Sequence, residues 1–509
     1  MFGLIKQTTA SVKDEVLSGV TVAMALVPEA VAFSLVAHVA PLVGLYAAFI
    51  MCTLAAILGG RPGMISGATG AMAVVIVGLV SQYPGWQGLQ YLFVTIIMTG
   101  ILEILIGVLR LGRVVRMLPQ PVMFGFVNGL AIVIFLAQLK QFQFNDANDV
   151  IQWVSGNSLY IMLGLVALTM VIVYALPKIT RFLPAALVAI LVVTALVHMF
   201  GLETRTVGDL ASTAGGFPKF HVPDVILNWQ TIKICLPYAV ILAIVGLTES
   251  LMTLTLIDEL TETRGQENRE CVAQGVANIT CGFFGGMGGC AMIGQSMINI
   301  NSGARRRLSG IIAGLGLLTI ILVASPLIAQ IPLAALVGIM FMVVIGTFEW
   351  SSFRILHKIP KVDAFVLVLV SAVTVFTNLA TAVIVGVIVA ALAFAWKSAK
   401  NTHSKTYINE AGSKVYQLEG PLFFASVSNF KSLFTPYDDP EDVIVDFDNS
   451  RVCDHSALEA INQLAERYDA VNKTLHLRHL SADCRVLLSK AKNKVEVNIL
   501  EDPTYRVAE

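Results

Sequence analysis

Apolar runs near the length that a helix needs to cross a bilayer recur from about residue 15 to about residue 398. A spanning helix takes roughly 20 residues. Fourteen runs are predicted: 15–37, 42–60, 67–82, 89–110, 119–140, 158–176, 183–201, 235–259, 271–286, 290–302, 308–329, 332–348, 362–377 and 380–398. Nothing else restricts the fold as much. In hydrocarbon a backbone must satisfy its own polar groups, and a succession of helices does this. With 56% hydrophobic and 13% charged residues, the chain does not have the balance of a soluble domain of this length. The first run is too long for a signal-peptide core and lacks a small-residue cleavage site, so it reads as a retained span.

Basic residues set the orientation. Alternate connections carry Arg61, then Arg110, Arg113 and Arg116, then Lys178 and Arg181, then Arg264 and Arg269, then Arg305, Arg306 and Arg307, then Arg354, Lys358 and Lys361. The intervening ones carry only Lys140, Arg205, Lys219 and Lys233. The richer set is cytoplasmic by the positive-inside rule, which puts both termini in the cytoplasm of a bacterial-type inner membrane. The net charge of zero gives no reason to expect nucleic acid. The seven cysteines include no C-x-x-C pair and read as small apolar packing residues.

Two glycine-rich stretches interrupt the apolar pattern. Residues 282–289 carry five glycines, and about ten helix-compatible residues follow, too few to span. A short helix entered through glycine offers free N–H groups and a partial positive charge, an anion site with no charged side chain. The earlier stretch, 60–76, has the same layout. At an offset of about 220 residues, judged by eye, Ala71-Met72 falls on Ala291-Met292 and Glu29 falls on Glu249. Interrupted helices in matching halves point to an inverted-repeat transporter, with repeats at about 15–201 and 235–398.

Several polar residues lie inside the runs. Glu29 follows Pro28 at membrane depth, where an ionised carboxylate without a partner costs on the order of 3 kcal/mol. Phe33 is one turn on. Glu249 and Thr253 share a helix face and could hold Na+ or carry a proton. Glu103 and Asn128 read equally as helix-packing residues. The stretch 141–157 reads as a polar outer loop, the segment 258–270 as a solvated turn, and Arg305–Arg307 as positive-inside dressing. After residue 400 the apolar runs stop. Strands are predicted at 415–418, 443–447 and 474–480, and an amphipathic helix at 457–468, which makes a small cytoplasmic α/β domain at 401–509 behind a membrane domain at 1–400.

The stretches LVPEAVAFSLVAHVAPLVGLYAAF (26–49), LPQPVMFGFVNGLAIVIFLAQL (118–139) and ETRGQENRECVAQGVANITCGFFGG (262–286) resemble the SulP anion transporter family, the sulfate-permease and solute-carrier-26 group. Val445-Asp446-Phe447 and Asp454-His455-Ser456-Ala457 resemble a STAS domain. The resemblance implies a polytopic α-helical membrane protein of fourteen spans. These form two inverted seven-helix repeats, divided into core and gate domains, and the STAS domain has a dimerisation role. It places the anion at Glu29, Phe33, Thr69, Gly70, Ala71, Glu249, Ala291, Met292, Gln295 and Ser296, while Glu249 and Thr253 stay the Na+- or H+-coupling pair read from their shared helix face. It also points to Ser456 as a candidate for regulatory phosphorylation. The alternative for that turn is a helix N-cap from Asp454 or Ser456.

One departure matters. Many relatives carry Ser-Arg-Thr where this chain has Gly294-Gln295-Ser296. With the arginine missing and two glutamates added, a cation or proton is expected to travel with the anion. The expected activity is coupled uptake of bicarbonate or sulfate by a homodimer in the lipid bilayer, with no resident cofactor. An anion exchanger, a dicarboxylate transporter, a nucleobase/H+ symporter of the same fold, and a channel or sensor are the alternatives. No phosphate-binding loop, G-x-S-x-G or H-E-x-x-H motif is present, so an enzyme is not expected.

Overall fold

Each of the fourteen apolar runs holds one helix of nine residues or more, and the 308–329 run also holds the short helix Ser325–Ala329. The computed structural model describes residues 11–112, 119–145, 151–179, 184–210, 216–225, 228–377, 379–480 and 496–497. Arg113, Arg116, Arg181 and Cys484 lie outside the described residues. Before residue 401 the described helices of nine residues or more are α1 Val12–Val36, α2 Pro41–Leu58, α3 Gly70–Gln82, α4 Trp86–Val108, α5 Gln120–Leu139, α6 Asn157–Ile179, α7 Ala185–Phe200, α8 Trp229–Thr261, α9 Glu267–Phe283, α10 Ile293–Asn301, α11 Leu308–Val323, α12 Leu333–Thr347, α13 Lys361–Phe376 and α14 Leu379–Lys400. Local chemistry sets their ends. Ser11 and Asp14 close a reciprocal capping box on α1. The Asn228 side chain accepts from the Thr231 N–H at 2.8 Å and starts α8 six residues before the predicted start. Gly201, at φ 54°, ends α7.

The helices sort into two groups by packing. In one, α4 lies against α9 and α8, α11 against α1 and α2, and α3 against α8. In the other, α5, α6 and α7 pack with α12, and α5 with α13. Small residues let the first group approach closely. A Cβ on Gly100 would lie 2.4 Å from the Gly275 carbonyl oxygen, and one on Gly275 would lie 2.5 Å from that of Gly100. Among the described residues seven helices are long and apolar enough to cross a membrane, and three shorter ones are apolar as well.

Two paired strands join the halves. β1 (Ser66–Gly67) runs antiparallel to β4 (Cys290–Ala291), with Ser66 opposite Ala291 and Gly67 opposite Cys290. Between them in sequence, β2 (Gln143–Asn145) and β3 (Ile151–Trp153) form a hairpin inside the stretch read as an outer loop. The burial pattern of residues 21–30 repeats position by position at 241–250, so Glu29 and Glu249 are structural counterparts. The offset of 220 fails at the interrupted helices. Thr69 caps α3 and Met292 precedes α10, so Ala71-Met72 falls in a first turn whereas Ala291 ends a strand. The glycine run, with Gly285 and Gly288 at φ 75° and 72°, takes up the difference.

The segment 258–270, read as a solvated turn, is pinned to the stretch at Gly60 and Arg61. Buried Arg61 pairs with Asp258 at 3.2 Å, and the Glu270 carboxylate accepts from the Gly60 N–H and the Gln274 amide, each at 2.7 Å. The 305–307 run is more than positive dressing. The Arg305 and Arg306 N–H groups donate to buried Glu15, and Arg307 caps carbonyls at the end of α2.

Residues 388–509 form a second compact unit. Its sheet has the order β5 (His403–Ile408), β6 (Lys414–Glu419), β7 (Asp442–Asn449), β8 (Thr474–Arg478), β9 (Glu496–Val497). β5 is antiparallel to β6, and the remaining pairs are parallel. Val443, Val445 and Phe447 alternate along β7 and pack with Ile461, Leu464 and Tyr468 of α15 (His455–Asp469). Ile444 points to the other face, against Val415.

Candidate functional site

The glycines before β4 make an irregular backbone, and Asn278 holds it. The Asn278 side chain accepts from the Gly289 N–H at 2.9 Å and donates to the Gly289 carbonyl at 3.1 Å. It also donates to Glu103 at 2.8 Å. Glu103 is thus a buried packing carboxylate of α4, as one of its two readings had it. Ser250 Oγ accepts from the Ala291 N–H at 3.0 Å, which ties β4 to α8. Met292 N–H donates to the Ile65 carbonyl at 2.9 Å. Ser296 Oγ accepts from the Ile65 N–H at 2.9 Å. These bonds aim the starts of α3 and α10 from the paired strands. The Thr69 hydroxyl caps α3 at Met72 N–H, whereas α10 has no side-chain cap. Its first N–H groups are the ones left for a ligand.

The two glutamates face this region from equivalent helices. Glu29 Oε1 accepts from Gln295 Nε2 at 2.6 Å, linking α1 to the first turn of α10. Gln295 is 3% exposed, and its Oε1 has no partner among the described residues. Glu249 Oε2 accepts from the Cys290 thiol at 3.1 Å, and the thiol also lies 3.3 Å from Thr69 Oγ1. A side chain at Gly294 would meet nothing within 4 Å, so α10 begins beside open space. The matching space at α3 is filled, because a Cβ on Gly70 would lie 2.9 Å from Phe33 and 2.8 Å from Ile134. The opening therefore lies on the α10 side.

The predicted residues fall into groups. Glu29 meets Gln295, Phe33 packs on Gly70, and Glu249 meets Cys290, which touches the Thr69 cap. The Thr253 hydroxyl donates to its own helix at the Glu249 carbonyl, 2.8 Å, and lies 3.5 Å from the Ala291 carbonyl. These bonds set it beside backbone oxygens and the Glu249 main chain. Ala71, Ala291 and Ser296 are buried, and the N–H groups of the last two are already taken, by Ser250 Oγ and by the Met292 carbonyl, so these two do not offer an anion a free donor. No group of three or more His, Cys, Asp or Glu able to hold a metal occurs among the described residues. In the second unit Asp454 is the helix cap, accepting from Ala457 N–H at 2.9 Å and Phe424 N–H at 2.7 Å. Ser456 is exposed in the first turn.

Cys290, Asn278 and Ser250 were not singled out from the sequence. Cys290 follows the glycine run directly, and Asn278 lies on the buried face of a helix between Gln274 and Cys281, which were the available signals.

Comparison with known proteins gives a family and a fold. Residues 12–370 match the sulfate permease family, and residues 405–505 match the STAS domain. YbaR of Bacillus subtilis is 42% identical over 490 residues, 96% of this chain and 99% of that protein. The transmembrane domain of a cyanobacterial bicarbonate transporter, BicA, is 30% identical at a TM-score of 0.64, covering 75% of this chain and 99% of that one. The inward-facing murine Slc26a9 anion transporter is 17% identical at a TM-score of 0.82, covering 97% and 91%, and shares the fold.

Proposed function

The chain belongs to the sulfate permease family of membrane anion transporters, and we propose that it is a secondary active symporter for a small inorganic oxyanion, coupled to Na+ or H+. The anion sits at the open start of α10, against uncapped N–H groups and between the two helix starts. Glu249 and Thr253 serve the coupling ion. Na+ would take the carboxylate together with backbone and hydroxyl oxygens, and a proton would take the carboxylate alone. Alternating access comes from movement of the group containing α5–α7 and α12 against the group containing α3 and α10. The protein works in the inner membrane with both termini cytoplasmic, as a homodimer in which the STAS domain takes part.

One observation carries this reading. Glu29 bonds Gln295 in the first turn of α10 and Glu249 bonds Cys290 just before it, so two carboxylates stand at the α10 start. An anion entering alone would meet net negative side-chain charge, which a co-transported cation or proton removes.

The test is uptake of labelled bicarbonate, sulfate and succinate into proteoliposomes, with and without inward Na+ and H+ gradients, beside Glu249→Gln. Saturable uptake that needs one gradient and loses that dependence in Glu249→Gln is expected. Gradient-independent exchange that survives the substitution would make Glu249 structural and the protein an exchanger.

A further inference from the structure

Two arginines converge on the end of α2. That helix packs against both α9 and α11. Arg269, in the first turn of α9, donates through Nε to the Leu58 carbonyl at 2.9 Å. Arg307, just before α11, donates through Nη1 to the Ala56 and Ile57 carbonyls at 2.8 and 3.0 Å, and through Nη2 to the Gly59 carbonyl at 2.7 Å. A helix C-terminus carries the equivalent of roughly half a negative charge, and two guanidiniums more than offset it.

The surplus positive charge is not met by the neighbouring acids. Neither arginine forms an ion pair among the described residues. Glu270 accepts from the Gly60 N–H and the Gln274 amide, and Glu15 accepts from the N–H groups of Arg305, Arg306 and Ser309. Burial, and after it the charge of Arg269, push the Arg307 guanidinium below its ordinary range, and Glu270 offsets only part of this. Arg269 is exposed, and among the described residues it uses Nε alone.

The surface beside the pair is apolar. Ile57 is 44% and Leu58 38% exposed, in a helix whose other residues are buried or half-buried. Exposed apolar side chains followed directly by guanidiniums suit the boundary between hydrocarbon and headgroups. The basic connections put this end of α2 at the cytoplasmic face, where the leaflet carries anionic lipid.

We propose that Arg269 and Arg307 form a binding site for the phosphate of an anionic phospholipid, whose acyl chains lie along Ile57 and Leu58. The Nη groups of Arg269 donate to the phosphate oxygens, and the anion relieves the repulsion between the two guanidiniums. The site shares no residue with the α10 start. Its occupant steadies the end of α2, from which Gly60 and Arg61 lead into β1.

Full-length protein in dodecyl maltoside is titrated with phosphatidylglycerol, with phosphatidylcholine and with glycerol phosphate. Native mass spectrometry counts the bound molecules, and the thermal unfolding midpoint is followed in parallel. Phosphatidylglycerol is expected to bind saturably and raise the midpoint, and phosphatidylcholine to do neither. Arg269→Gln weakens phosphatidylglycerol binding about tenfold, the loss of a charge-assisted contact. Arg307→Gln weakens it as well. Because Arg307 also caps α2, failure of that variant to fold leaves the decision with exposed Arg269→Gln. Arg354→Gln removes an equal charge from the short helix Ser351–Ile355 and leaves binding unchanged. Equal binding of the two phospholipids, an equal loss in Arg354→Gln, or unchanged binding in Arg269→Gln overturns the proposal. Glycerol phosphate binding as tightly as the lipid overturns it too, and assigns the arginine pair to a soluble phosphate ester.

Discussion

A Cβ on Gly289 would lie 2.0 Å from the Gly67 carbonyl oxygen. The strands that aim both interrupted helices thus approach with no room for a side chain between them. This contact also explains why the glycine run sits where it does. The backbone before Cys290 must turn through Gly285 and Gly288 at positive φ and then pass against β1. Gly289→Ala is expected to force β1 and β4 apart and displace the α10 start. A misplacement of about 1 Å at a binding constellation can cost on the order of 100-fold, so uptake should fall at least tenfold. Proteoliposome flux checks this, with detergent thermal stability as the control for gross unfolding. Normal flux in Gly289→Ala would mean that the strand pair does not position the site.

The crossing of α4 and α9 rests on Gly100 and Gly275, where each backbone occupies the other's missing side-chain volume. Gly100→Leu cannot be absorbed by a rotamer change, because the obstacle is a carbonyl oxygen. It should lower the midpoint of thermal aggregation and the monodisperse yield. Gly164 of α6 has nothing within 4 Å, and Gly164→Leu should leave both unchanged. Equal behaviour of the two variants would refute close packing as the role of Gly100.

Asp439 is the buried polar centre of the second unit. Its carboxylate accepts from Lys414 at 2.6 Å, from the Tyr416 hydroxyl at 2.9 Å and from the Tyr468 hydroxyl at 2.5 Å. Burial pushes its pKa up, but Lys414 and the two hydroxyls outweigh burial and hold it below the ordinary 3.8. The same hydrogen bonds, after burial, push the Tyr468 hydroxyl up, and Asp439 raises Lys414. A depressed carboxylate stabilises the fold fully above its unfolded pKa and loses that contribution as pH falls through the depressed folded value. Asp439→Asn should therefore cost about 2 kcal/mol at neutral pH and progressively less below about pH 4. Hydrogen exchange of peptides from β6 and α15 in the full chain, corrected for intrinsic rates, reads this out. A wild-type-to-variant difference that does not shrink in acid would remove the carboxylate's charge from the account.

The sequence revealed the helices more fully than the site. Apolar length located the long helices, because a span leaves an unbroken composition signal, whereas α3 and α10 were marked by the glycine-rich stretches before them. Glu29 and Glu249 were legible as counterparts for the same reason, each being a single acid in an otherwise apolar run. The pairing of Gly67 with Cys290 was not legible, since a two-residue strand has no periodicity to read. The offset drawn from Ala71-Met72 failed because the glycine run inserts residues that no composition match counts. β5 escaped prediction because most of its residues are exposed, so it has no apolar alternation. Partners such as Gln295 with Glu29 depend on the approach of helices 266 residues apart, which a single sequence does not encode locally.

Cys290 joins the two halves of the site, with its sulfur between Glu249 Oε2 at 3.1 Å and Thr69 Oγ1 at 3.3 Å. Thr69 caps α3, so movement of Glu249 on α8 reaches the start of α3 through one thiol. Cys290→Ala removes the donor to Glu249 and leaves a small void. The carboxylate then lacks that partner, and uptake is expected to fall about tenfold, chiefly through weaker dependence on the coupling gradient. Cys290→Ser keeps an O–H donor with a shorter reach and should restore most of that dependence. A purely packing role predicts the opposite order, since alanine and serine leave similar voids and serine adds a buried polar group. Measuring gradient dependence in the two variants side by side therefore separates a hydrogen-bond link from simple filling. Equal or reversed behaviour would assign Cys290 to packing alone.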